Sequence, residues 1–417
     1  NLEDDLEKLR DCDWIIEAVI EKLEIKHKVY GTIEPFRKAD AVVSSNTSTI
    51  PLQALVEGRG DAFKKHFMIT HFFNPARYMR LLELVKSEHT DASAFARIKR
   101  FAHVNLGKGY VFCHDRPGFI ANRIGVYWLT RGLNEAIRLQ IPVEAADAVM
   151  GKPAGIPKTG VFGLFDLIGI DLMPLIAKEL HDALPSTDPF VRDYREPELV
   201  KKMIADGYTG RKGKGGFYRL NTEGGGKKKE AINLTSGAYA AEQKPKLESV
   251  EAAKNGLRAL VGHPDLGGQY AAAVLLPTLH YAAMLVPEIA DDIQAIDRAM
   301  QWGYNWKYGP FALIDRLSTP EQTGTAWFAD YCQKQGWPVP PILEKAAGRP
   351  LFSSENGLPQ YLSVNGQYQP VEKPAGVLLL ADAKANRKPV KKNGSAALWD
   401  LGDGVLGFEY TSKMNSM

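Results

Sequence analysis

A histidine and a glutamate in one short segment are the first residues whose types and spacing could do chemistry. His71 opens the segment HFFNPARYMRLLELV, and Glu83 interrupts the apolar strand pattern with which it ends. Because side chains alternate between the two faces of a strand, Glu83 should share a face with Leu81 and Val85. A carboxylate on an apolar face is costly unless it is paired. His71 is one candidate partner, in a pair that is either structural or chemical.

A paired histidine and glutamate would suit proton transfer. The ordinary pKa of histidine lies near neutral pH, and a carboxylate on its second ring nitrogen fixes the tautomer and stabilises the imidazolium. Asn74-Pro75, between the two residues, gives the chain a place to reverse. Taken alone, a histidine between a threonine and phenylalanines is more often a core residue.

Three apolar runs typical of strands must position His71. They are WIIEAVI (14–20), AVVSSNTSTI (41–50) and HFMITHFF (66–73), and helical patterns separate them. This alternation predicts an α/β doubly wound sheet, which binds its ligands beyond the carboxyl ends of its strands. The side chains expected at that edge are Glu21, Asn46 to Ser48, and His71.

The helix predicted after the first run has an apolar stripe. Ile25, Val29, Ile33 and Phe36 are spaced to lie on one helix face, which we expect to be buried. Pro35 must end or distort this helix.

The composition is that of a globular protein with about two to four domains. The chain has 417 residues, 45% hydrophobic and 24% charged, and no apolar run reaches the ~18 residues of a membrane span. A net charge of +3 does not favour a nucleic-acid partner. Three separated cysteines fit a reducing compartment, so a cytoplasmic location is the default, with mitochondria and peroxisomes left open. The histidine and cysteine spacings indicate no metal site.

After residue 115 the pattern becomes helical and repeats itself. AADAVM (145–150) followed by GVFGLFDLI (160–168) is matched by AIDRAM (295–300) followed by GPFALIDRL (309–317). Two matching blocks at nearly equal spacing predict a duplicated helical unit.

The first helix of this half should begin near Asp115, a candidate N-cap. It carries a stripe of mostly small residues that favours close helix packing. The stripe consists of Ala121, Gly125, Trp128, Gly132 and Ala136.

Five motifs, in order along the chain, carry a family resemblance. They are EAVIEKLEIK (17–26), SNTST (45–49), HFFNP (71–75), LLELV (81–85) and DRPGFIANR (115–123). Together they resemble the NAD-dependent L-3-hydroxyacyl-CoA dehydrogenases of fatty acid β-oxidation. The match extends from about Cys12 through RKGKGGFY (211–218).

The resemblance implies oxidation of (S)-3-hydroxyacyl-CoA to 3-oxoacyl-CoA with NAD. It makes His71 the general base and Glu83 its orienting partner, and it places Ser48 and Asn122 near the substrate hydroxyl and the developing carbonyl. The residues that it assigns to NAD are Ala18, Glu21, Lys26, Asn46, Ser48 and Asn74.

The implied fold is a partial Rossmann-type doubly wound sheet followed by an all-α, internally duplicated dehydrogenase C-terminal region. Composition predicts two linkers, and the last residues resemble the start of a crotonase-type enoyl-CoA hydratase module, with a hairpin signal at Asp403-Gly404. The expected segments are 1–114 (part of the NAD-binding domain), 115–220 (first helical domain), 221–250 (linker), 251–347 (second, degenerate repeat), 348–395 (linker) and 396–417 (start of the crotonase-type module).

The resemblance places the chain inside a longer multifunctional β-oxidation protein, with a glycine-rich βαβ unit expected before residue 1. It implies an acyl-CoA substrate, and a homodimer or an association with a thiolase as the assembly. Two alternatives stay open. One is a related dehydrogenase of small 3-hydroxy acids, which would more often use a lysine base, and the other is a non-catalytic piece.

We expect residues 1–417 alone to bind NAD weakly or undetectably. Pyrophosphate is normally held by the backbone N–H groups of a glycine-rich loop at a helix N-terminus, the element expected before residue 1. Titration calorimetry should show that the affinity recovers when the preceding segment is restored. Equal affinities with and without that segment would contradict this expectation.

Overall fold

The apolar runs of the first part form a five-stranded sheet in the computed structural model, which describes residues 4–222, 226–355, 357–371, 373 and 377–412. The strands are β1 (Trp14–Glu17), β2 (Val42–Ser45), β3 (Phe67–Phe72), β4 (Leu81–Val85) and β5 (Gly109–Phe112). The helices between them are α1 (Leu23–Ile33), α2 (Leu52–Leu55), α3 (Asp61–Lys65) and α4 (Ala92–Val104).

The strands lie in the order β1-β2-β3-β4-β5. The first three are parallel, β4 runs antiparallel to β3, and β5 is parallel to β4. The carboxyl ends of β1, β2 and β3 therefore share one edge, as the sequence predicts. β1 lies at the side of the described sheet, so Ile16 is 43% exposed although its run is predicted to be buried on both faces.

The alternation predicted around Glu83 is confirmed. Leu81 and Val85 belong to the large core shared with the helical half, whereas Leu82 and Leu84 pack with α4 on the other face of the sheet. Glu83 lies between Leu82 and Leu84 in sequence, points towards the large core and is fully buried.

The buried face of α1 differs from the predicted one. Its buried residues are Lys26, Tyr30 and Ile33, whereas Ile25 is exposed. The prediction of a buried stripe through Ile25 is wrong because a buried carboxylate, Glu17, accepts hydrogen bonds from Lys26 at 2.9 Å and Tyr30 at 2.7 Å. This polar contact sets the rotation of the helix against the sheet.

The second part of the chain is helical, as predicted. Its first half contains α5 (Ala121–Leu139), α6 (Val143–Val149), α7 (Phe162–Ile168), α8 (Leu172–Ala183), α9 (Pro189–Asp193) and α10 (Glu198–Ala205). Its second half contains α11 (Glu248–Ala252), α12 (Leu257–Val261), α13 (Leu266–Met284), α14 (Ile293–Gly303), α15 (Pro310–Asp315), α16 (Gly324–Lys334) and α17 (Pro341–Ala346). Within the ranges described, no helix combines the length and apolarity needed to cross a bilayer.

Four aspartates, of which Asp315 is half-buried and the other three are buried, confirm the internal duplication. Asp147 in α6 accepts hydrogen bonds from two backbone N–H groups at the start of α7, at 2.8 and 3.0 Å. Asp297 in α14 does the same at the start of α15, at 2.8 and 2.9 Å. Asp166 and Asp315 each accept two further backbone N–H bonds, at 2.7 to 2.9 Å, from the residues that open a small sheet. Each matching block therefore has the same arrangement.

The two predicted linkers are wrong where the chain folds into these small sheets. The first small sheet consists of β6 (Tyr218–Asn221), β7 (Lys228–Ile232) and β8 (Tyr239–Ala241). The second consists of β9 (Phe352–Glu355), β10 (Leu358–Leu362) and β11 (Tyr368–Pro370). A strand with one face in solvent has a polar composition that resembles a linker, yet Ile232 and Leu362 are buried. The region predicted to be all-α thus carries one sheet in each repeat.

Residues 380–412 also fold. It contains α18 (Leu380–Asn386), β12 (Lys391–Lys392), β13 (Ala396–Gly402) and β14 (Val405–Tyr410), and β13 pairs with both neighbouring strands. The predicted hairpin turn is confirmed, with φ of 49° at Asp403 and 76° at Gly404. Residues 413–417 lie outside the described ranges, and the crotonase-type assignment stays a prediction.

Both helical repeats pack against the sheet or each other through small residues. The Gly132 carbonyl on α5 accepts a hydrogen bond from the Tyr270 hydroxyl on α13 at 2.9 Å, so the predicted stripe does serve close helix packing. α14 of the second repeat lies on β4 and β5. A Cβ atom at Gly109 of β5 would meet the Trp302 ring at 2.5 Å, so a side chain at Gly109 would force the helix away.

The buried aspartates should make stability depend on pH. Burial raises the pKa of Asp147 to about 7 and that of Asp297 to about 8, although backbone N–H donors act in the opposite direction. An unfolded aspartate titrates near about 4, so the folded state binds these protons more tightly, and stability falls as pH rises from about 4 through these values. Between pH 6 and 9 we expect the free energy of unfolding of Asp297→Asn, measured with urea, to fall by on the order of 1 kcal/mol less than that of the wild type.

The exposed Asp330 provides a matched control, since Asp330→Asn should leave the pH dependence unchanged. If the free energy of unfolding changed with pH in the same way for the wild type and Asp297→Asn, the raised pKa of Asp297 would be contradicted.

Candidate active site

The two residues singled out by the sequence face each other across the sheet. His71 and Glu83 are direct cross-strand partners in the antiparallel pair of β3 and β4. His71 Nδ1 and Glu83 Oε2 are 2.7 Å apart, and their side chains are 9% and 0% exposed. The chain reversal predicted between them therefore produces a buried hydrogen-bonded pair.

Glu83 uses its second oxygen to hold the start of a helix. Its Oε1 accepts hydrogen bonds from the backbone N–H groups of Ile120 at 3.0 Å and Ala121 at 2.8 Å, where α5 begins. A helix N-terminus favours a negative charge beside it, and the other oxygen of the carboxylate accepts the Nδ1–H of His71. Nε2 of His71 is then left with its lone pair, and it has no hydrogen-bond partner within the described ranges.

Asp115, the predicted cap of this helix, binds elsewhere. Its carboxylate accepts from the backbone N–H of Leu52, at 3.0 and 2.9 Å, and so caps α2 instead. The prediction is wrong because α5 begins six residues later and takes its capping carboxylate from a distant strand.

Aromatic rings and a tight turn fix the position of the imidazole. The centroids of the Phe73 and Phe119 rings lie 5.2 and 5.6 Å from that of His71. Phe119 has a φ of 46°, in the left-handed region that non-glycine residues rarely adopt, directly after Gly118 at 75°. The Gly118 N–H donates to the Ser48 carbonyl at 3.1 Å, which connects this turn to the loop after β2.

Glu21 shapes that loop. Its Oε1 accepts from the backbone N–H groups of Ser48 at 3.0 Å and Thr49 at 3.2 Å, and from the Thr47 hydroxyl. Burial raises the pKa of Glu21, but the Thr47 hydroxyl, the Lys26 charge and these N–H groups outweigh it, and the pKa is lowered overall. Glu21 is therefore an anion at neutral pH.

Asn46 connects the ends of β2 and β3. Its Oδ1 accepts the backbone N–H of Phe72 at 2.9 Å, next to His71. Its own N–H donates to the Glu17 carbonyl at 2.8 Å, at the end of β1. The side-chain amide is thereby held at the shared edge of the three parallel strands.

Lys26 is not on the surface, where a helix lysine would be expected. Its side chain is 1% exposed, and its Nζ lies 2.9 Å from Glu17 Oε1 and 3.2 Å from Glu21 Oε2. Glu17 also accepts from the hydroxyls of Tyr30 and Ser45, each at 2.7 Å. Glu17 was missed as a site residue, although a charged residue closing an apolar strand is the same signal that marked Glu83.

The other predicted residues differ in their accessibility. Ser48 and Asn122 are partly accessible, and in the described part of the chain no hydrogen bond involves the Ser48 hydroxyl or the Asn122 amide. Asn122 immediately follows the N–H groups that hold Glu83. Ala18, after β1, and Asn74, in the turn after β3, are exposed. The described residues contain no group of three or more His, Cys, Asp or Glu placed to hold a metal ion.

Two family models match the chain. Residues 1–116 match the one described as 3-hydroxyacyl-CoA dehydrogenase, NAD binding domain, and residues 118–220 match the one described as 3-hydroxyacyl-CoA dehydrogenase, C-terminal domain. The first description indicates NAD as the cofactor.

Three curated relatives align with the chain. A Rickettsia felis protein named as a fatty acid oxidation complex trifunctional enzyme is 39% identical over 100% of this chain and 54% of that protein. A Bacillus subtilis protein named as a 3-hydroxyacyl-CoA dehydrogenase is 37% identical over 100% of this chain and 52% of that protein. The chain thus spans about half the length of these two relatives. A Deinococcus radiodurans protein named as a 3-hydroxybutyryl-CoA dehydrogenase is 35% identical over 52% of this chain and 74% of that protein.

A solved structure supports the fold. The crystal structure of 3-hydroxybutyryl-CoA dehydrogenase from Escherichia coli K12 is 20% identical, with a TM-score of 0.56, and the match covers 82% of each chain. At that identity the similarity shows the fold alone. From the two family models and the alignment that covers most of the Deinococcus protein, the chain belongs to the 3-hydroxyacyl-CoA dehydrogenase family.

Proposed function

We propose that this chain supplies the catalytic site of an enzyme that oxidises (S)-3-hydroxyacyl-CoA to 3-oxoacyl-CoA with NAD in fatty acid oxidation. The observation that carries the proposal is the buried Glu83, which binds His71 Nδ1 with one oxygen and the α5 N-terminus with the other. A histidine held in this way keeps Nε2 as a base. Family membership supplies the substrate class.

His71 Nε2 would accept the proton of the 3-hydroxyl group. Glu83 stabilises the imidazolium that forms, because the charge develops 2.7 Å from its carboxylate. The Ser48 hydroxyl and the Asn122 amide would donate to the substrate oxygen as it becomes a carbonyl. When bound, NAD supplies the acceptor for the hydride that leaves the same carbon.

The polar groups at the shared strand edge fit NAD. Glu21 and Ser48 offer a carboxylate and a hydroxyl of the kind that bind ribose, and Ala18 leaves room for close approach because its side chain is small. Asn46 and Asn74 would lie at the nicotinamide end of the cofactor. Lys26, which is buried, would act by holding Glu21 rather than by direct contact.

The wider assignments are also proposals. An acyl-CoA substrate is consistent with the names of the relatives, and the trifunctional name of the Rickettsia relative favours a multifunctional parent protein. We propose residues 1–114 as part of the NAD-binding domain and residues 396–417 as the start of a hydratase module. A homodimer or a thiolase association, and a cytoplasmic location, remain expectations from the sequence.

A substitution at Lys26 tests the buried network around Glu17. We expect Lys26→Met to destabilise the protein by about 3 kcal/mol, because it leaves the buried Glu17 without its cation. Lys28→Met, on the exposed face of the same helix, is the matched control and should change stability by less than about 0.5 kcal/mol. Chemical denaturation measures both effects. In the full-length protein, unchanged stability but weakened NAD binding on Lys26→Met would mean that Lys26 contacts the cofactor directly.

The His71–Glu83 pair tests the function itself. In the full-length protein we expect His71→Ala to lower kcat by about 10² to 10⁴ or more, and Glu83→Gln to lower it by a large factor with the fold retained. The double variant should lose little more than the worse single variant, because the two groups act as one unit. NADH absorbance with acetoacetyl-CoA as substrate gives the rates of the reverse reaction.

Two results would contradict this proposal. If the two single losses of kcat multiplied in the double variant, His71 and Glu83 would act independently rather than as one unit. If kcat of the His71→Ala enzyme stayed within a few-fold of that of the wild type, His71 would not be the general base.

A further inference from the structure

A buried lysine binds the turn that follows the strand of His71. Lys108 directly precedes β5 and is 7% exposed. Its Nζ donates hydrogen bonds to the backbone carbonyl of Met79, at 2.7 Å, and to that of Ala76. Both carbonyls belong to the 73–80 turn, which connects β3 to β4. One side chain from outside this turn therefore binds it at two points.

The 73–80 turn lies mostly in solvent. Residues 74–78 and Arg80 are exposed, so packing does little to fix them. The backbone N–H groups of Tyr78 and Met79 donate to the Pro75 carbonyl at 2.9 and 3.0 Å, which closes the turn on itself without attaching it to the rest of the molecule. Its end is attached by the Gly109 N–H, which donates to the Arg80 carbonyl at 2.9 Å. Lys108 attaches its middle.

Burial alone gives no reason for a lysine at position 108. Burial lowers the pKa of Lys108, and none of the acidic residues in the described ranges forms an ion pair with it. A buried cation is costly unless polar groups compensate for the lost water. The groups that do so here are the two carbonyls of the turn and the Phe72 ring, whose centroid lies 5.7 Å from Nζ. An apolar side chain would be easier to bury, but it could not bind the turn.

The start of this turn lies at the catalytic pair. Phe73 packs its ring edge-on against His71, with the ring centroids 5.2 Å apart. The next residue, Asn74, is the one proposed for the nicotinamide end of the cofactor. Because Asn74 is exposed, the backbone of the turn sets its position more than side-chain packing does. A contact that holds the middle of the turn therefore also sets where Asn74 lies.

We propose that Lys108 is a positioning residue that holds the 73–80 turn so that Asn74 stays in place at the nicotinamide end of the cofactor, beside His71. This inference rests on the proposed function. Lys108 acts through the backbone of the turn and touches neither substrate nor cofactor. Without its ammonium group, the carbonyls of Ala76 and Met79 would need water as their donor, and the turn would have to move outward to admit it.

Hydrogen exchange tests the contact independently of activity. In the full-length protein, Lys108→Met removes the donor and keeps a long side chain. We expect the amides of Tyr78 and Met79 to exchange about ten-fold faster or more, while those of β3 and β4 keep their wild-type rates. Lys99→Met is the matched control, because the Lys99 Nζ lies over two aromatic rings of β5, 5.8 Å from each centroid, and binds no carbonyl of the turn. It should leave all these rates unchanged.

Steady-state kinetics tests the role of the contact, with NADH and acetoacetyl-CoA as substrates. We expect Lys108→Met to lower kcat/KM for NADH by about ten-fold or more, because a small displacement of a positioning group is enough for such a loss. Lys108→Arg keeps a donor and should recover most of the loss. In an Asn74→Ala background, Lys108→Met should cost little more, because both substitutions remove the same interaction.

The outcomes separate this inference from the proposed function. If the wild type is active and Lys108→Met matches it in exchange and in kcat/KM, the inference is overturned and the function stands. If the losses of Lys108→Met and Asn74→Ala multiply in the double variant, Lys108 does not act through Asn74, and the inference is again overturned. If Lys108→Met does not fold, Lys108→Gln replaces it in both measurements. A wild type without activity would overturn both the function and the role of Lys108 in it.

Discussion

The site depends on one buried carboxylate. Glu83 is fully buried, and its two oxygens bind His71 and the first N–H groups of α5. Removing one partner of such a buried charge typically costs about 3 to 5 kcal/mol. The reversal from β3 to β4, the start of α5 and the orientation of the imidazole are therefore held by the same group, so the position of the imidazole cannot change without disturbing the fold.

The same physical solution recurs through the chain. Glu17 joins β1, α1 and β2 by accepting from a lysine, two hydroxyls and a backbone N–H. Asp147 and Asp297 each hold the start of the next helix through two backbone N–H groups. In each case the carboxyl group satisfies donors that the main chain leaves free at a helix start or a strand end, which offsets part of the cost of its burial.

The duplication has a consequence for the site. The first repeat supplies α5, whose N-terminus holds Glu83 and whose first turn carries Asn122. The second repeat packs α14 on β4 and β5 and brings Tyr304 against Phe73. One copy thus holds Glu83 of the proposed catalytic pair, and the other packs beside that pair.

The sequence by itself determined the shared carboxyl edge of the first three strands, the face on which Glu83 lies, the duplication and the family, because these follow from local periodicity and from ordered motifs. Tertiary structure alone decided that Lys26 is buried and that Glu83 rather than Asp115 caps α5. It also decided that Tyr304 packs against Phe73. Each of these contacts joins residues whose meeting depends on how the elements close on one another. Periodicity states which face of an element is apolar, but it does not state which distant group satisfies a charge on that face.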